Sequence, residues 1–307
     1  MGFGQFKPLT HNEIISYEEI VRLARILAPR GVSSLRITGG EPLVRKHLSR
    51  LIRSLSRIPD VRDISLTTNG LLLEEAADTL GQAGLSRVNV SLDTLRRERF
   101  SWITHPVLFN GSGNPQAVLR GLDASRKKGM YPVKINVVLM RDFNDDELGE
   151  FAALTRDRDY EVRFIEFMPL SPEGFWGHDK VITAKEAMAR LEVIHGPLQP
   201  LGKGGGSGPA VRYRIPGHTG TIGFITPISE NFCVQCNRIR ITADGKLRTC
   251  LFSDRETDLL SAMRGNTSDE GILSLIEGAL KEKPEGHGIA DGGNYRACTR
   301  TMSHIGG

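Results

Sequence analysis

Ser34-Leu-Arg-Ile-Thr-Gly-Gly-Glu-Pro42 is followed by Leu48, Leu51, Ile52 and Leu55 and then by Asp63-Ile-Ser-Leu-Thr67, and this succession decides the fold. A short aliphatic run ending in glycine reads as a strand, whereas apolar residues three and four apart form one face of a helix. Two strands joined through a helix run parallel, because the crossover returns the chain to the edge where the first strand began. The unit recurs. Leu73, Ala76, Ala77 and Leu80 make a helical stripe, Arg87 to Leu92 a strand, Pro115 to Lys128 a helix, Val133 to Leu139 a strand, Leu148 to Thr155 a helix and Glu161 to Phe167 a strand. Ahead of it all, Ser16-Tyr-Glu-Glu19 is a capping box opening a helix through Ile20, Leu23, Ala24 and Leu27, with Gly31 placed to stop it. Such alternation predicts an α/β fold with a parallel sheet, wound as a barrel or left open.

Successive side chains of a strand point to opposite faces, so each strand can be divided in two. Leu35/Ile37, Ile64/Leu66, Val88/Val90 and Ile135/Val137 fall on one side, and Arg36/Thr38, Ser65/Thr67, Asn89/Ser91 and Lys134/Asn136 on the other. A barrel interior is normally filled with branched apolar residues. A polar pair on each of four strands instead predicts a lumen that takes a polar ligand, and the cations Arg36 and Lys134 suit phosphates. The competing reading, strands alternating towards water, conflicts with the covering of the outer face by crossover helices.

With 307 residues, 39% of them hydrophobic, the chain can bury a full core as one large domain or one plus a smaller one. A net charge of +4, spread without a long basic run, fits anionic small molecules and argues against nucleic acid as a partner. No apolar run reaches membrane-spanning length and no signal-peptide core is present, so the expected location is cytoplasmic, away from membranes. Cysteines are reduced there, which favours metal ligation over disulfides.

Three of the four cysteines lie in Cys233-Val-Gln-Cys236-Asn-Arg238-Ile-Arg240 and the later Cys250, a C-x2-C-x13-C spacing. Asp244-Gly245 is a tight-turn pair, so Ile239 to Ala243 and Lys246 to Cys250 read as a hairpin returning the third thiolate to the first two. Three ligands leave one coordination position open. An iron-sulfur cluster, a structural zinc ion and unrelated thiols all remain readings of this pattern. Zinc sites of four cysteines usually close with a second C-x2-C, absent after Cys250, and nothing local supports Cys298 as a distant fourth ligand. Between the parallel units and this hairpin the rhythm breaks after Phe175. Ala184 to Leu191 is helical, Gly202 to Pro209 is a glycine-rich loop, Val211 to Ile215 and Thr221 to Ile225 are short strands, and helices follow near Asp258 to Met263 and Glu270 to Leu280. Gly39-Gly40-Glu41-Pro42 would by itself be an ordinary connection; its place at the mouth of a polar lumen makes it a candidate for a ligand carrying an ammonium group.

Taken in order, Arg36-Ile-Thr-Gly-Gly-Glu-Pro42, Leu66-Thr-Thr-Asn-Gly70, Asn89-Val-Ser-Leu-Asp93, Lys134-Ile-Asn136, Arg163-Phe-Ile-Glu-Phe-Met168, the cysteine-arginine run with Cys250 and the terminal Gly-Gly resemble the GTP 3′,8-cyclase family of radical S-adenosylmethionine (SAM) enzymes, over about Pro8 to Gly307. The resemblance implies an incomplete (β/α)6 TIM-like barrel across residues 1–175, lacking its first strand, and a C-terminal α+β region across 176–307 that carries the three-cysteine cluster site and GTP-binding residues. It implies that Gly39, Gly40, Glu41, Pro42, Ser91 and Met168 hold SAM. Arg36, Thr67, Lys134, Arg238, Ile239 and Arg240 would hold GTP, and Cys233, Cys236 and Cys250 a [4Fe-4S] cluster whose open iron meets the guanine. Arg238, Arg240, Gly306 and Gly307 would act in catalysis, the tail reaching into the site. The implied reaction begins molybdenum cofactor biosynthesis: a 5′-deoxyadenosyl radical takes hydrogen from the ribose C3′, which then attacks C8 of guanine. An external electron donor, a downstream cyclic pyranopterin monophosphate synthase acting on the product, and a homodimer are the implied partners.

Members of this family cleave SAM on a cluster held by an N-terminal C-x3-C-x2-C, and these 307 residues contain no such motif. The expectation is therefore a chain without cyclase activity that still binds GTP and one cluster, and a strand Ser34 to Thr38 short of one neighbour. The segment Leu108 to Asn114 also looks longer than the family's loop. A zinc-stabilised fold with a small-molecule or nucleic-acid ligand is the remaining alternative.

Overall fold

The computed structural model describes residues 9–104, 113–170, 176–203, 208–230, 232–286 and 298–305. Much of segments 108–114 and 202–209, and all of Gly306-Gly307, lie outside them. Helix α1 (Tyr17–Leu27) starts at the expected capping box: the Glu19 amide donates to Ser16 Oγ at 3.1 Å and the Ser16 amide to Glu19 Oε2 at 2.7 Å. Four units follow. They are β1 (Ser34–Ile37), α2 (Leu48–Ser56), β2 (Asp63–Thr68), α3 (Leu73–Gln82), β3 (Arg87–Ser91), α4 (Arg97–Thr104), α5 (Pro115–Lys127), β4 (Val133–Leu139), α6 (Leu148–Ala153) and β5 (Tyr160–Glu166). Helix α4 was not expected; only Phe100 on it is buried, so it lacks the apolar stripe by which helices are read.

After α7 (Ala184–His195) come β6 (Gln199–Lys203), β7 (Val211–Arg214) and β8 (Thr221–Ile225). The eight strands form one mixed sheet in the order β1-β2-β3-β4-β5-β8-β7-β6, parallel from β1 through β8 and antiparallel at β7 and β6. Strands from both stretches therefore share one sheet, and β1 is an edge strand among the described residues. The helices cover the apolar face, where Leu66, Val88, Val90, Ile135, Val137 and Val162 are fully enclosed with Leu73, Leu122 and Phe151.

A second, three-stranded sheet holds β9 (Arg240–Ile241), β10 (Lys246–Arg248) and β11 (Thr257–Asp258), followed by α8 (Leu259–Arg264) and α9 (Asp269–Lys281). Gly245 turns the β9–β10 hairpin at φ +69°, a conformation open to glycine, and a Cβ there would stand 2.6 Å from that of Leu260. The sheet and its helices share a separate core with α1, in which Leu23, Leu247, Leu259, Ile272 and Ile276 are buried. Polar contacts reinforce that seam: Arg22 donates to Asp269 at 2.8 Å and to the Thr267 carbonyl at 2.6 Å, and Arg264 pairs with Glu19 at 2.7 Å.

Candidate active site

The pleat places Arg36, Ser65, Thr67, Arg87, Asn89, Lys134, Glu161 and Arg163 on the face of the large sheet turned away from the helices. Thr67, Asn89, Lys134, Glu161 and Thr221 stand in register across five strands, and Ser91, Asn136, Arg163 and Gly223 form the next row. In a flat sheet β1 and β5 would be ~19 Å apart, at about 4.8 Å per strand. Arg163 is nonetheless the strongest charged influence on Arg36, and Arg238 and Arg240 also act on it. The sheet therefore curls, and its polar face lines a cleft closed on one side by the cysteine hairpin.

The cleft concentrates positive charge. Lys134 and Arg163 are buried, with 8% and 6% of their surface exposed. Water still reaches Arg36, although protein crowds it on most sides. Burial, then repulsion from Arg163, Arg238, Arg87 and Arg240, brings the Arg36 pKa down to about 10. Burial and Arg163 likewise bring Lys134 down to about 8, against the opposing pull of Glu161. Burial, then Arg238, lowers Arg240 to about 10. Carboxylates offset only part of this charge: Asp63 pairs with Arg87, and Glu161 with Arg163 and Lys134. Neither Arg36 nor Arg240 has a carboxylate partner among the described residues. Clustered like charges at reduced hydration are unfavourable, and a bound anion would relieve them.

At the carboxyl ends of the strands, Gly39 and Gly40 follow β1 and lead to Glu41 and Pro42. The Glu41 carboxylate accepts from Thr68 Oγ1 at 2.7 Å and from the amides of Asn69 and Leu43 at 2.8 and 3.0 Å, locking this loop to the end of β2. Burial raises its pKa despite these donors. Ser91 is exposed at the end of β3. Two residues on, burial lifts Asp93 to about 6 while it accepts the Val138 amide at 2.8 Å. Met168 packs with Trp176 and Phe252 against Val181 and Ile228.

Cys233 opens a single turn closed by the Cys236 amide on the Cys233 carbonyl at 2.9 Å; Cys250 follows β10. All three thiols are half-buried, and Arg240 lies within electrostatic reach of both Cys236 and Cys250. Burial opposes ionisation of Cys236, but the amide and guanidinium of Arg238 and the Lys283 ammonium outweigh it and lower its pKa. Thiols held near cations are the donor type that iron-sulfur clusters take. Among the described residues, no three His, Cys, Asp or Glu side chains converge closely enough for a single metal ion. Ile239 packs at the α1 seam, and Arg238 lies 5.4 Å from the Phe232 ring centre.

Three site residues carry no role in the sequence reading. Glu161 and Arg163 alternate with Val162 and Phe164, the same polar/apolar signal used for the other strands, here extended to β5. Glu166 lies on the opposite side of β5. It is buried and accepts from the amides of Ala184, Ile228 and Ser229 at 3.0, 3.0 and 2.8 Å, so it anchors the segment leading to Cys233. No sequence signal separates such a carboxylate from one in a ligand site.

Two family descriptions match the chain: Radical SAM superfamily over residues 3–155 and Molybdenum Cofactor Synthesis C over 160–289. The chain is similar to a protein of Pelotomaculum thermopropionicum named GTP 3′,8-cyclase, with 44% identity over 98% of this chain and 90% of that protein. A GTP 3′,8-cyclase of Moorella thermoacetica is 43% identical over 97% of this chain and 88% of its own length. Among solved structures, a radical SAM methyltransferase from Sphaerobacter thermophilus shares 20% identity at a TM-score of 0.46, covering 59% of this chain and 54% of that one.

Proposed function

The chain belongs to the GTP 3′,8-cyclase family of radical SAM enzymes, and from that premise we propose how its cleft serves the conversion of GTP in the first step of molybdenum cofactor biosynthesis. The observation that carries the assignment of residues is the charge of the cleft: Arg36, Lys134, Arg163 and Arg240 converge, and among the described residues one carboxylate, Glu161, is set against Lys134 and Arg163. Such a site suits a triphosphate, whose negative charges replace the missing counter-ions. Thr67 and Asn89 supply neutral hydrogen-bonding groups on the same wall.

Cys233, Cys236 and Cys250 would hold a [4Fe-4S] cluster beside Arg238 and Arg240, with Ile239 between them as backbone support. Gly39 to Pro42, Ser91 and Met168 would hold SAM at the strand ends. When bound, SAM and an external electron donor would supply the starting radical at a further cluster, whose C-x3-C-x2-C ligands do not occur among these 307 residues. The protein's part is to fix the ribose and guanine in one geometry and to keep water from the reacting carbon, which the buried rows of the sheet favour. Gly306 and Gly307, outside the described residues, are assigned by resemblance to the same site, and the homodimer and the downstream synthase belong to the reading on that footing.

Calorimetry of GTP binding to the anaerobically reconstituted chain tests the assignment. Stoichiometric binding that weakens with added salt is expected. Absence of binding with the cysteine site loaded would remove the cleft from the substrate's path.

A further inference from the structure

We propose that Glu161 is a positioning residue whose carboxylate holds Arg163 and Lys134 towards one phosphate-binding point in the cleft. The inference rests on the reading of the cleft as a triphosphate site. Glu161 stands in register with Lys134 on β4 and Thr221 on β8, and it is itself 5% exposed. Its two oxygens go to different cations: Oε1 accepts from Arg163 Nε, and Oε2 lies 3.9 Å from Lys134 Nζ. A carboxylate that takes Nε leaves the terminal nitrogens of the guanidinium free to face outward. Those nitrogens point at Gly208, where a Cβ would stand 3.6 Å from the nearer one, and among the described residues they meet no acceptor. Gly223 makes this pose fit, since a Cβ on it would already stand 3.3 Å from Arg163 Cγ. Buried carboxylates in anion sites raise affinity only when they organise cations worth more than their own repulsion.

The charges around Lys134 make the role measurable. Arg36 on β1, Arg87 on β3 and Arg163 on β5 oppose its protonation, Asp63 on β2 is engaged by Arg87, and Glu161 is the group that favours the ammonium form. With Lys134 near 8, affinity for a phosphate should hold below that pH and decline above it, by at most about tenfold per pH unit. The neutral isostere E161Q removes the favourable charge and leaves the repulsive ones, so the break moves to lower pH.

GTP affinity of the full chain would be measured by calorimetry from pH 6 to 9.5 for wild type, E161Q, E161D and K134R. The expected results are a break near 8 for wild type, a break about one unit lower for E161Q, one near the wild-type position for E161D, and none for K134R. At pH 8.5, E161Q should bind about tenfold more weakly than wild type. A wild-type profile in E161Q, or a break that survives in K134R, overturns the proposal. If E161Q does not fold, the shorter neutral E161N takes its place: a break about one unit below wild type supports the role, and a wild-type break refutes it. Wild type without GTP affinity at any pH removes the triphosphate reading and this inference together, whereas wild-type binding with an unchanged E161Q profile removes Glu161 alone.

Discussion

Arg240 shows what a single side chain reveals in a sequence and what it withholds. Its place two residues after Arg238, beside paired cysteines, marks it as a candidate anion ligand, but only the folded chain sets it against both Cys236 and Cys250, with no carboxylate partner among the described residues. Substituting alanine should weaken GTP binding by about 1–3 kcal/mol, the range for one charge-assisted contact, with no change in the melting transition. Unchanged affinity by calorimetry would take Arg240 out of the site. Arg36 and Lys134 are legible for a similar reason, since alternation alone puts them on the polar side of their strands. Glu161 and Arg163 obey the same alternation. Their mutual pairing depends on rotamers, and no spacing rule reports those.

Among the elements, the cysteine hairpin depends on one residue at its tip and on one helix behind it. Gly245 has a positive φ and no room for a Cβ against Leu260, so G245A should cost on the order of 3 kcal/mol and unseat β9 and β10. Denaturant unfolding would measure it, and a loss below a few tenths would contradict the geometry. Helix α1 has a carboxylate with two tasks: Glu19 closes the capping box and pairs with Arg264 on α8. E19A should therefore lose about 1 kcal/mol as a cap, plus a smaller share from the exposed ion pair. A double-mutant cycle with R264A separates the two, and full additivity would show that the pair contributes nothing. Arg264 holds Glu19 below the usual carboxylate range, so this contribution is complete above the ordinary Glu pKa and fades as pH falls through the lower folded value. The capping box was plain in Ser16-Tyr-Glu-Glu19; its partner, 245 residues away, was not.

For the whole molecule, the large sheet and the α1 seam join the two stretches of chain into one body. At the turn into β8, Thr155 Oγ1 lies 2.8 Å from His218 Nδ1, and the His218 ring meets that of His195 at 5.5 Å between centres. Burial, with the Arg156 charge adding to it, holds both imidazoles below their ordinary pKa. Unfolded histidines take up protons near pH 6.5, which the folded pair resists. The unfolded chain then binds more protons, so stability is complete above about pH 6.5 and declines below it. Urea midpoints at pH 7.5 and 5.5 should show that decline, smaller in H195Q/H218Q, and an equal decline in both proteins would sink the idea. At this scale too lies the division between what is local and what is not. Residue order and periodicity by themselves determined the succession of strands and helices, the division of each strand into an apolar and a polar side, and the cysteine-arginine run, because each is a property of neighbours along the chain. The curl that brings Arg36 on β1 near Arg163 on β5, the passage of β8 to the side of β5, the pairing of Glu161 with two cations and the anchoring of the cysteine segment by Glu166 were decided only by tertiary structure. Those depend on which distant surfaces bury one another, and burial is a property of the folded whole.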